Sequence, residues 1–178
     1  MEQISVMASL DKVRLKQNIL RLLDFSGLTD ISFAFALNIS DKQIKRIKKG
    51  EAEFTIDNIN KASELFNKSI EELNTTDITY STGFRVMLME FHANNTEYIK
   101  LLTDKPSLTY AIKYELVLGG NIPKEGITVD KIGKFFDSLN WHYSSAYISL
   151  GMARNAHLFD KLENPFRKGS YLYKEKES

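Results

Sequence analysis

The sequence has 178 residues, 43% of them apolar, and its 24 Lys and Arg nearly balance 23 Asp and Glu, for a formal charge of +1. This composition suits an ordinary folded core and excludes a disordered tail and a histone-like polycation. The absence of cysteine excludes a disulfide scaffold, thiolate zinc sites and cysteine nucleophiles. No apolar run approaches the roughly 18–20 residues of a membrane span, and the acidic segment Met1–Met7 is unlike a signal peptide. We therefore expect a cytoplasmic protein that does not associate with membranes.

A change in composition near residue 76 divides the chain. Residues 12–75 have helical spacing, 11 basic and 9 acidic residues and no proline, whereas all three prolines and 15 of the 20 aromatic residues follow. Residues 76–83 are rich in β-branched and small polar side chains, which is typical of a linker. We expect a first domain over residues 1–75, a linker over 76–83 and a second domain over 84–178, both of a size that folds alone.

Five short helices are predicted in the first domain, because apolar residues recur there at helical spacing. Asn38 and Asn67 fall just after predicted helix ends, where left-handed backbone geometry is expected. Residues 40–43 and 69–72 have the pattern of capping boxes. A residue able to cap the N-terminus precedes each of the last four helices: Thr29, Ser40, Thr55 and Ser69. The predicted buried stripes of the first four helices are Leu15, Ile19, Leu22 and Leu23; Phe33, Ala34 and Leu37; Ile44 and Ile47; and Ile56, Ile59, Ala62 and Phe66.

The second and third predicted helices are joined by only Asn38 and Ile39, which is the short connection of a helix-turn-helix. In that motif the first helix braces the DNA phosphates and the second enters the major groove. The third helix is the most basic part of the chain, and no acid interrupts its run of cations: Lys42, Lys45, Arg46, Lys48 and Lys49. This pattern predicts binding to double-stranded DNA.

The residues around this turn resemble the Cro/repressor, or Xre-type, helix-turn-helix family. The pattern is Leu28-Thr29-x-x-x-Phe33-Ala34-x-x-Leu37-Asn38-Ile39-Ser40-x-x-x-Ile44-x-Arg46-Ile47-x-x-Gly50. It continues through Phe54-Thr55-Ile56-x-x-Ile59-x-x-Ala62-x-x-Leu65-Phe66-Asn67-x-Ser69-Ile70-x-x-Leu73, so the resemblance covers residues 12–74. The departures are Asn38 for the usual turn glycine, Phe54 for a common proline, and Glu51 and Glu53 in a loop that is often basic.

The resemblance implies a mainly α protein with an N-terminal, five-helix, lambda-repressor-like DNA-binding domain. It implies that the exposed face of the third helix reads bases near its N-terminal end, through Asp41, Lys42, Gln43 and Arg46. The chemistry of these residues agrees, because Lys and Arg suit guanine and Gln suits adenine. Phosphate contacts are assigned to Thr29, Ser40, Lys45, Lys48 and Lys49.

Some of these residues also have a purely structural interpretation. Gln43 can complete a capping box with Ser40 instead of contacting a base. Lys48 and Lys49 can stabilise the C-terminal end of their helix through its dipole. Glu51 and Glu53 argue against a phosphate contact from the loop that follows.

The second domain is predicted to be helical with a short β element at its end. Helices are expected after Pro106 as far as Gly119 and Gly120, over residues 129–139 and over 143–158, followed by a turn and a strand over 166–174. Three helices and then a basic β-hairpin is the order of a winged helix. The alternative is a helical dimerisation or effector domain.

No catalytic set stands out in the sequence. The three histidines, His92, His142 and His157, lack metal-ligand spacing, and there is no glycine-rich phosphate loop. We therefore expect no enzymatic activity, no metal and no cofactor. The predicted function is that of a sequence-specific DNA-binding transcriptional regulator, a repressor, which acts as a homodimer and reads the major groove with helix 40–49. The alternative is an antitoxin or adaptor whose residues 84–178 bind a partner protein.

Overall fold

The computed structural model describes residues 10–176, and the chain divides into two compact units between Asp104 and Lys105. The segment Met1–Met7, on which the expectation about a signal peptide depends, lies outside the described residues. Among the helices that are described, none combines the length and the apolar character needed to cross a membrane.

Within the described residues of unit 1, 10–104, all the regular secondary structure is helical. Its helices are α1 (Lys12–Ser26), α2 (Asp30–Leu37), α3 (Asp41–Lys48), α4 (Ile56–Phe66), α5 (Ile70–Thr75), α6 (Phe84–Phe91) and α7 (Thr96–Thr103). The first five are the helices predicted from the sequence. Their predicted core residues are buried, except Ile56, which is 40% exposed because it opens α4.

Side-chain caps begin these helices where the sequence places them. Thr29, Ser40, Thr55 and Ser69 each accept a hydrogen bond from a backbone N–H in the first turn that follows. Such caps satisfy donors that have no partner within the helix. The Ser69 side chain and the Glu72 side chain form a reciprocal capping box, as predicted.

The structure does not separate the units at the predicted linker. Helices α6 and α7, which the sequence analysis assigned to the second domain, pack into the core of the first. Phe84, Leu88, Tyr98 and Leu102 belong to the same buried cluster as Leu15 and Phe33. The five predicted helices of the first domain thus cover the apolar side chains of α6 and α7, and the boundary between the units follows Asp104.

Two buried polar side chains tie the segment after α5 to α1. Asn18 on α1 donates from Nδ2 to the carbonyls of Leu73 (2.9 Å) and Thr76 (2.7 Å). Arg85 on α6 is 5% exposed and donates to the carbonyls of Ser26, Leu102 and Asp104, at 2.5 Å from Leu102 and 2.7 Å from Asp104. A buried carbonyl without a partner is costly, so these bonds hold the ends of α1, α5 and α7 in place.

Unit 2 has the three predicted helices and the predicted hairpin. It comprises α8 (Leu108–Tyr110), which continues as a π-helix (Ala111–Val117), α9 (Val129–Ser138), α10 (Ser145–Arg154), a 3₁₀ turn (Ala156–Leu158), β1 (Phe159–Glu163) and β2 (Tyr171–Glu175). The third helix ends at Arg154, earlier than predicted, and the 3₁₀ turn leads into β1, whose residues were not assigned to the predicted hairpin from the sequence. β1 and β2 pair antiparallel with Phe159 opposite Glu175, and Ile127 pairs with Tyr173 ahead of α9.

The core of unit 2 is formed where α10 crosses α8 closely. Ile112, Ile132, Phe136 and Ile148 are completely buried. Gly151 permits the approach, since a Cβ there would lie 2.5 Å from Leu108 Cδ2. Three helices followed by a two-stranded antiparallel hairpin is the order of elements that the sequence predicts for this half of the chain.

The bonds of Arg85 predict that Arg85→Met destabilises unit 1. Methionine has similar reach but leaves three carbonyls without their guanidinium donor, which should cost about 1–3 kcal/mol in the free energy of unfolding. Urea denaturation followed by circular dichroism measures this cost, with the exposed Lys100→Met on α7 as a matched control. An unfolding midpoint equal to that of the control would contradict the clamping role of Arg85.

Candidate nucleic-acid interface

The turn between α2 and α3 is closed by a left-handed residue. Asn38 has φ 56° and ψ 46°, and the next amide, of Ile39, donates to the carbonyl of Ala34 at 3.0 Å. This bond pattern terminates α2 within one residue. Asparagine tolerates the left-handed region better than most residues, which explains how Asn38 serves where a glycine is usual.

The inner face of α3 is anchored in the core of unit 1. Ile44 and Ile47 are 0% and 1% exposed. Beneath α2, Phe33 stacks on Phe66 with ring centroids 5.6 Å apart, and Phe54 meets Phe33 edge-on at 6.3 Å. Phe54 thus replaces the family's common proline with a packing contact. Burial of Ile44 and Ile47 determines which face of α3 remains in solvent.

The solvent face of α3 is strongly basic. The four cations of α3 and its C-cap residue are all exposed: Lys42, Lys45, Arg46, Lys48 and, at the cap, Lys49. Among residues 10–176, Lys42 and Lys49 have no hydrogen-bond or ion-pair partner. Arg46 Nη2 makes one long bond of 3.4 Å to the carbonyl of Glu51, which leaves the remaining guanidinium donors available.

Two of the five cations are paired with acids of the same domain. Lys45 Nζ lies 2.8 Å from Asp41 Oδ2, one turn earlier on α3. This hydrogen bond and the charge of Lys45 hold the pKa of the Asp41 carboxyl below its ordinary value, and the same contact raises the pKa of Lys45. Lys48 bonds to Asp30 at the start of α2 and so links the two helices of the motif. Exposed pairs of this kind are weak and exchange readily for other anions.

The hydrogen bonds of Gln43 bear on its two interpretations, as part of a capping box with Ser40 or as a base contact. Its backbone N–H donates to Ser40 Oγ at 3.2 Å, but within residues 10–176 its side-chain amide has no hydrogen-bond partner. The capping box predicted over residues 40–43 is therefore only half formed. The free amide of Gln43 remains available for an external contact, whereas Ser40 Oγ is engaged as the cap.

The segments on either side of α3 offer fewer unpaired polar and basic groups than α3 does. Thr29 Oγ1 accepts from the Ser32 amide at 3.1 Å, so the hydroxyl of Thr29 is engaged in the cap. In the loop after α3, Glu53 lies 3.5 Å from Lys16 on α1, and Glu51 is exposed. These two acids keep the loop from adding to the basic face.

Three residues of this region were not identified from the sequence. Asp30, the partner of Lys48, could not be recognised because its contact joins positions 18 residues apart. Ile31 and Phe35 are 71% and 61% exposed and lie one turn apart on the outer side of α2. The sequence could have predicted this exposed apolar pair, because Ile31 and Phe35 are spaced i, i+4 and lie outside the buried stripe of Phe33 and Leu37.

The two-residue turn, the buried inner face of α3 and its basic outer face define a helix-turn-helix domain. Residues 26–73 match the family model described as helix-turn-helix, and this segment is a domain of the Xre/Cro type. The sequence resemblance is confirmed over these residues, and the domain is that of DNA-binding regulators. No curated protein and no solved structure matches the chain significantly.

The Asp41–Lys45 contact has a measurable pH signature. Because the pKa of Asp41 is lowered in the folded state, the contact stabilises α3 above the ordinary carboxyl pKa and is lost as the pH falls through the lowered value. Carbon-detected NMR titration of the Asp41 carboxyl should give a midpoint below that of an unpaired aspartate. In Lys45→Met the midpoint should move upward, and an identical midpoint in both proteins would contradict the pairing.

Proposed function

We propose that this protein is a sequence-specific transcriptional regulator that represses genes by reading the major groove of DNA with α3. The observation that carries the proposal is the free amide of Gln43 beside unpaired cations on the one face of α3 that core packing leaves in solvent. An α-helix fits the major groove of B-DNA, where each base pair presents a distinct pattern of donors and acceptors. The helix-turn-helix match of residues 26–73 supports the same ligand.

The proposed base contacts follow from side-chain chemistry. Lys42 and Arg46 suit the O6 and N7 acceptors of guanine, Gln43 suits adenine, and Asp41 can accept from the amino group of cytosine. Since Asp41 also holds Lys45, a phosphate that attracts Lys45 would free the carboxylate of Asp41 for a base. Base reading and phosphate binding at these two residues would then be coupled.

The proposed phosphate contacts differ in how readily they form. Lys49 has no competing partner in the described chain and reaches a phosphate without loss of an internal contact. Lys45 and Lys48 must each exchange a carboxylate for a phosphate. At Thr29 and Ser40 the hydroxyls cap helices, so the backbone N–H groups that follow are the donors we assign to phosphate.

We further propose that the regulator acts in the cytoplasm, without catalysis, as a homodimer. Two recognition helices about 34 Å apart match half-sites one helical turn apart. Linking two weak half-sites raises affinity without any new contact. We place the pairing surface in unit 2, which begins at Lys105.

One observation favours the alternative of an adaptor or antitoxin. On α6, Val86, Met87 and Phe91 are exposed by 52%, 41% and 54%. An apolar helix face of this kind suits a protein partner. Gel-shift assays on DNA from upstream of the protein's own gene test the DNA-binding role, because an adaptor without one would shift no fragment, whereas an antitoxin that also binds DNA would shift the fragment as a repressor does.

Arg46→Ala tests the reading role of α3. It should lose about 1–3 kcal/mol of specific binding and relax the preference at one base pair, because a bidentate contact to guanine is removed. Competition assays with single-base variants of the bound fragment measure this effect. The matched control, Lys49→Ala, should weaken binding to all sequences alike and lower the salt slope by about one. A uniform loss for Arg46→Ala as well would assign Arg46 to phosphate instead.

A chain that ends at Asp104 tests where the protein pairs. Unit 1 has its own buried core, so this chain should remain helical, yet run as a monomer in light scattering and bind the fragment more weakly than the full chain. The full chain is the reference in both measurements. A dimeric truncated chain with undiminished affinity would move the pairing surface into unit 1, with the exposed face of α6 as the candidate.

A further inference from the structure

We propose that two copies of this chain pair through the outer edge of β1, antiparallel to each other about a two-fold axis at Leu162. Lys161 of each copy would then lie opposite Glu163 of the second copy, and the two hairpins would form one continuous sheet. This inference rests on the proposed homodimer and names the surface that forms it. Because the two strands are identical, both copies contribute the same patch, as a two-fold interface requires.

The outer edge of β1 has backbone groups that no other element uses. Tyr173 on β2 exchanges both of its backbone hydrogen bonds with Ile127, at 2.9 Å each, so its backbone faces away from β1. Lys161 is the β1 residue opposite Tyr173, and its N–H and C=O groups therefore point out of the sheet, as do those of Glu163 two residues later. Within the described chain, no backbone group from outside the hairpin bonds to them. A free edge of this kind is a template for another strand.

The charges of β1 favour one register for that strand. Pairing about Leu162 sets Lys161 opposite Glu163 of the second copy, and such a pair can exchange both outward backbone hydrogen bonds. Centring the contact on Asp160, Lys161 or Glu163 would set that side chain opposite its own copy, and opposed like charges destabilise a sheet. The segment 161–163 is thus complementary to itself, so a second copy is the strand that its charge pattern fits.

The side chains of Lys161 and Glu163 are available for this pairing. Both are exposed, and within residues 10–176 neither forms an ion pair. Lys161 Nζ lies over the ring of Tyr171, 3.8 Å from its centroid. Tyr171 is the β2 partner of Glu163, so the ammonium is held on the face of the sheet where Glu163 of the second copy would also lie. A side chain already held in this way loses little conformational entropy on pairing.

The opposite face of the hairpin displays an exposed apolar patch. Leu162 and Phe166 are 44% and 94% exposed, and Leu162 is paired with Leu172 across the hairpin. All three residues line one groove of about 550 Å³. Pairing about Leu162 would bring its two copies side by side and extend the row of leucines across the axis. Exposed apolar patches rimmed by polar residues are typical of protein interfaces.

The first test reverses the charges that face each other. Lys161→Glu and, separately, Glu163→Lys would oppose like charges and should weaken dimerisation of the full chain by about tenfold. The double variant restores unlike pairs and should recover most of the lost affinity. Lys134→Glu, at an exposed lysine on α9, is the matched control and should leave the dissociation constant unchanged. Sedimentation equilibrium measures this constant, and single variants that dimerise as tightly as the control would overturn the proposal.

The second test uses the absence of cysteine from the chain. Leu162→Cys places a thiol at the axis, where the two Cα atoms would lie about 4.5 Å apart, within the range of a disulfide. Leu172→Cys is the matched control, because it lies on the same face but one strand farther from the axis. Mild oxidation should link Leu162→Cys into a covalent dimer on a non-reducing gel and leave Leu172→Cys unlinked. Equal linking of the two variants, or none in Leu162→Cys, would refute pairing about Leu162.

Gel shifts on the same variants separate this inference from the proposed function. If the full chain shifts DNA and dimerises while the charge variants and Leu162→Cys behave as their controls do, the proposed homodimer stands and pairing through β1 is wrong. If β1 pairs as expected and no fragment shifts, the proposed DNA-binding role fails and this inference stands. A full chain that stays monomeric would overturn both the inference and the proposed homodimer, and would leave the edge to a strand of another protein.

Discussion

The burial of Ile44 and Ile47 is the constraint on which the helix-turn-helix depends. After the left-handed Asn38, α3 has only one apolar face, and that face must meet α2 and the core of unit 1. Burying two isoleucines contributes roughly 3–6 kcal/mol, so no other rotation of α3 competes. The orientation of every polar side chain on α3 follows from this packing.

The charge on α3 is balanced within the domain rather than by its sequence neighbours alone. Four cations on α3 and Lys49 at its C-cap repel one another, and the carboxylates of Asp41 and Asp30 relieve part of that repulsion. Because both pairs are exposed, the relief is weak and a stronger polyanion can replace it. The same acids that stabilise the free domain therefore set how strongly Lys45 and Lys48 hold a phosphate.

Each unit contains a pair of consecutive helices that pack on its core, but the exposed surfaces of the two pairs differ. In each, a pair of helices joined by a connecting segment buries its inner residues, but three residues separate α2 from α3 and six separate α9 from α10. The outer face of α3 is dense in cations, whereas that of α10 exposes Tyr147 and Leu150, by 46% and 45%. The exposed cations Arg167 and Lys168 of unit 2 lie on the hairpin loop. These two basic side chains of unit 2 thus lie on a loop and not on a helix.

The sequence by itself determined the first five helices, the N-caps of the last four of them and the outward cations of α3, because spacing, capping and turn residues act within a few positions along the chain. The helix-turn-helix class also followed from it. Only the tertiary structure decided that α6 and α7 join unit 1, because Arg85 meets the carbonyl of Ser26 across 59 residues. It likewise decided that Lys48 meets Asp30, that Gln43 stays free and that Phe166 stands in solvent. Local sequence patterns do not predict these contacts, because the contacts depend on how helices that are distant in the sequence pack against one another.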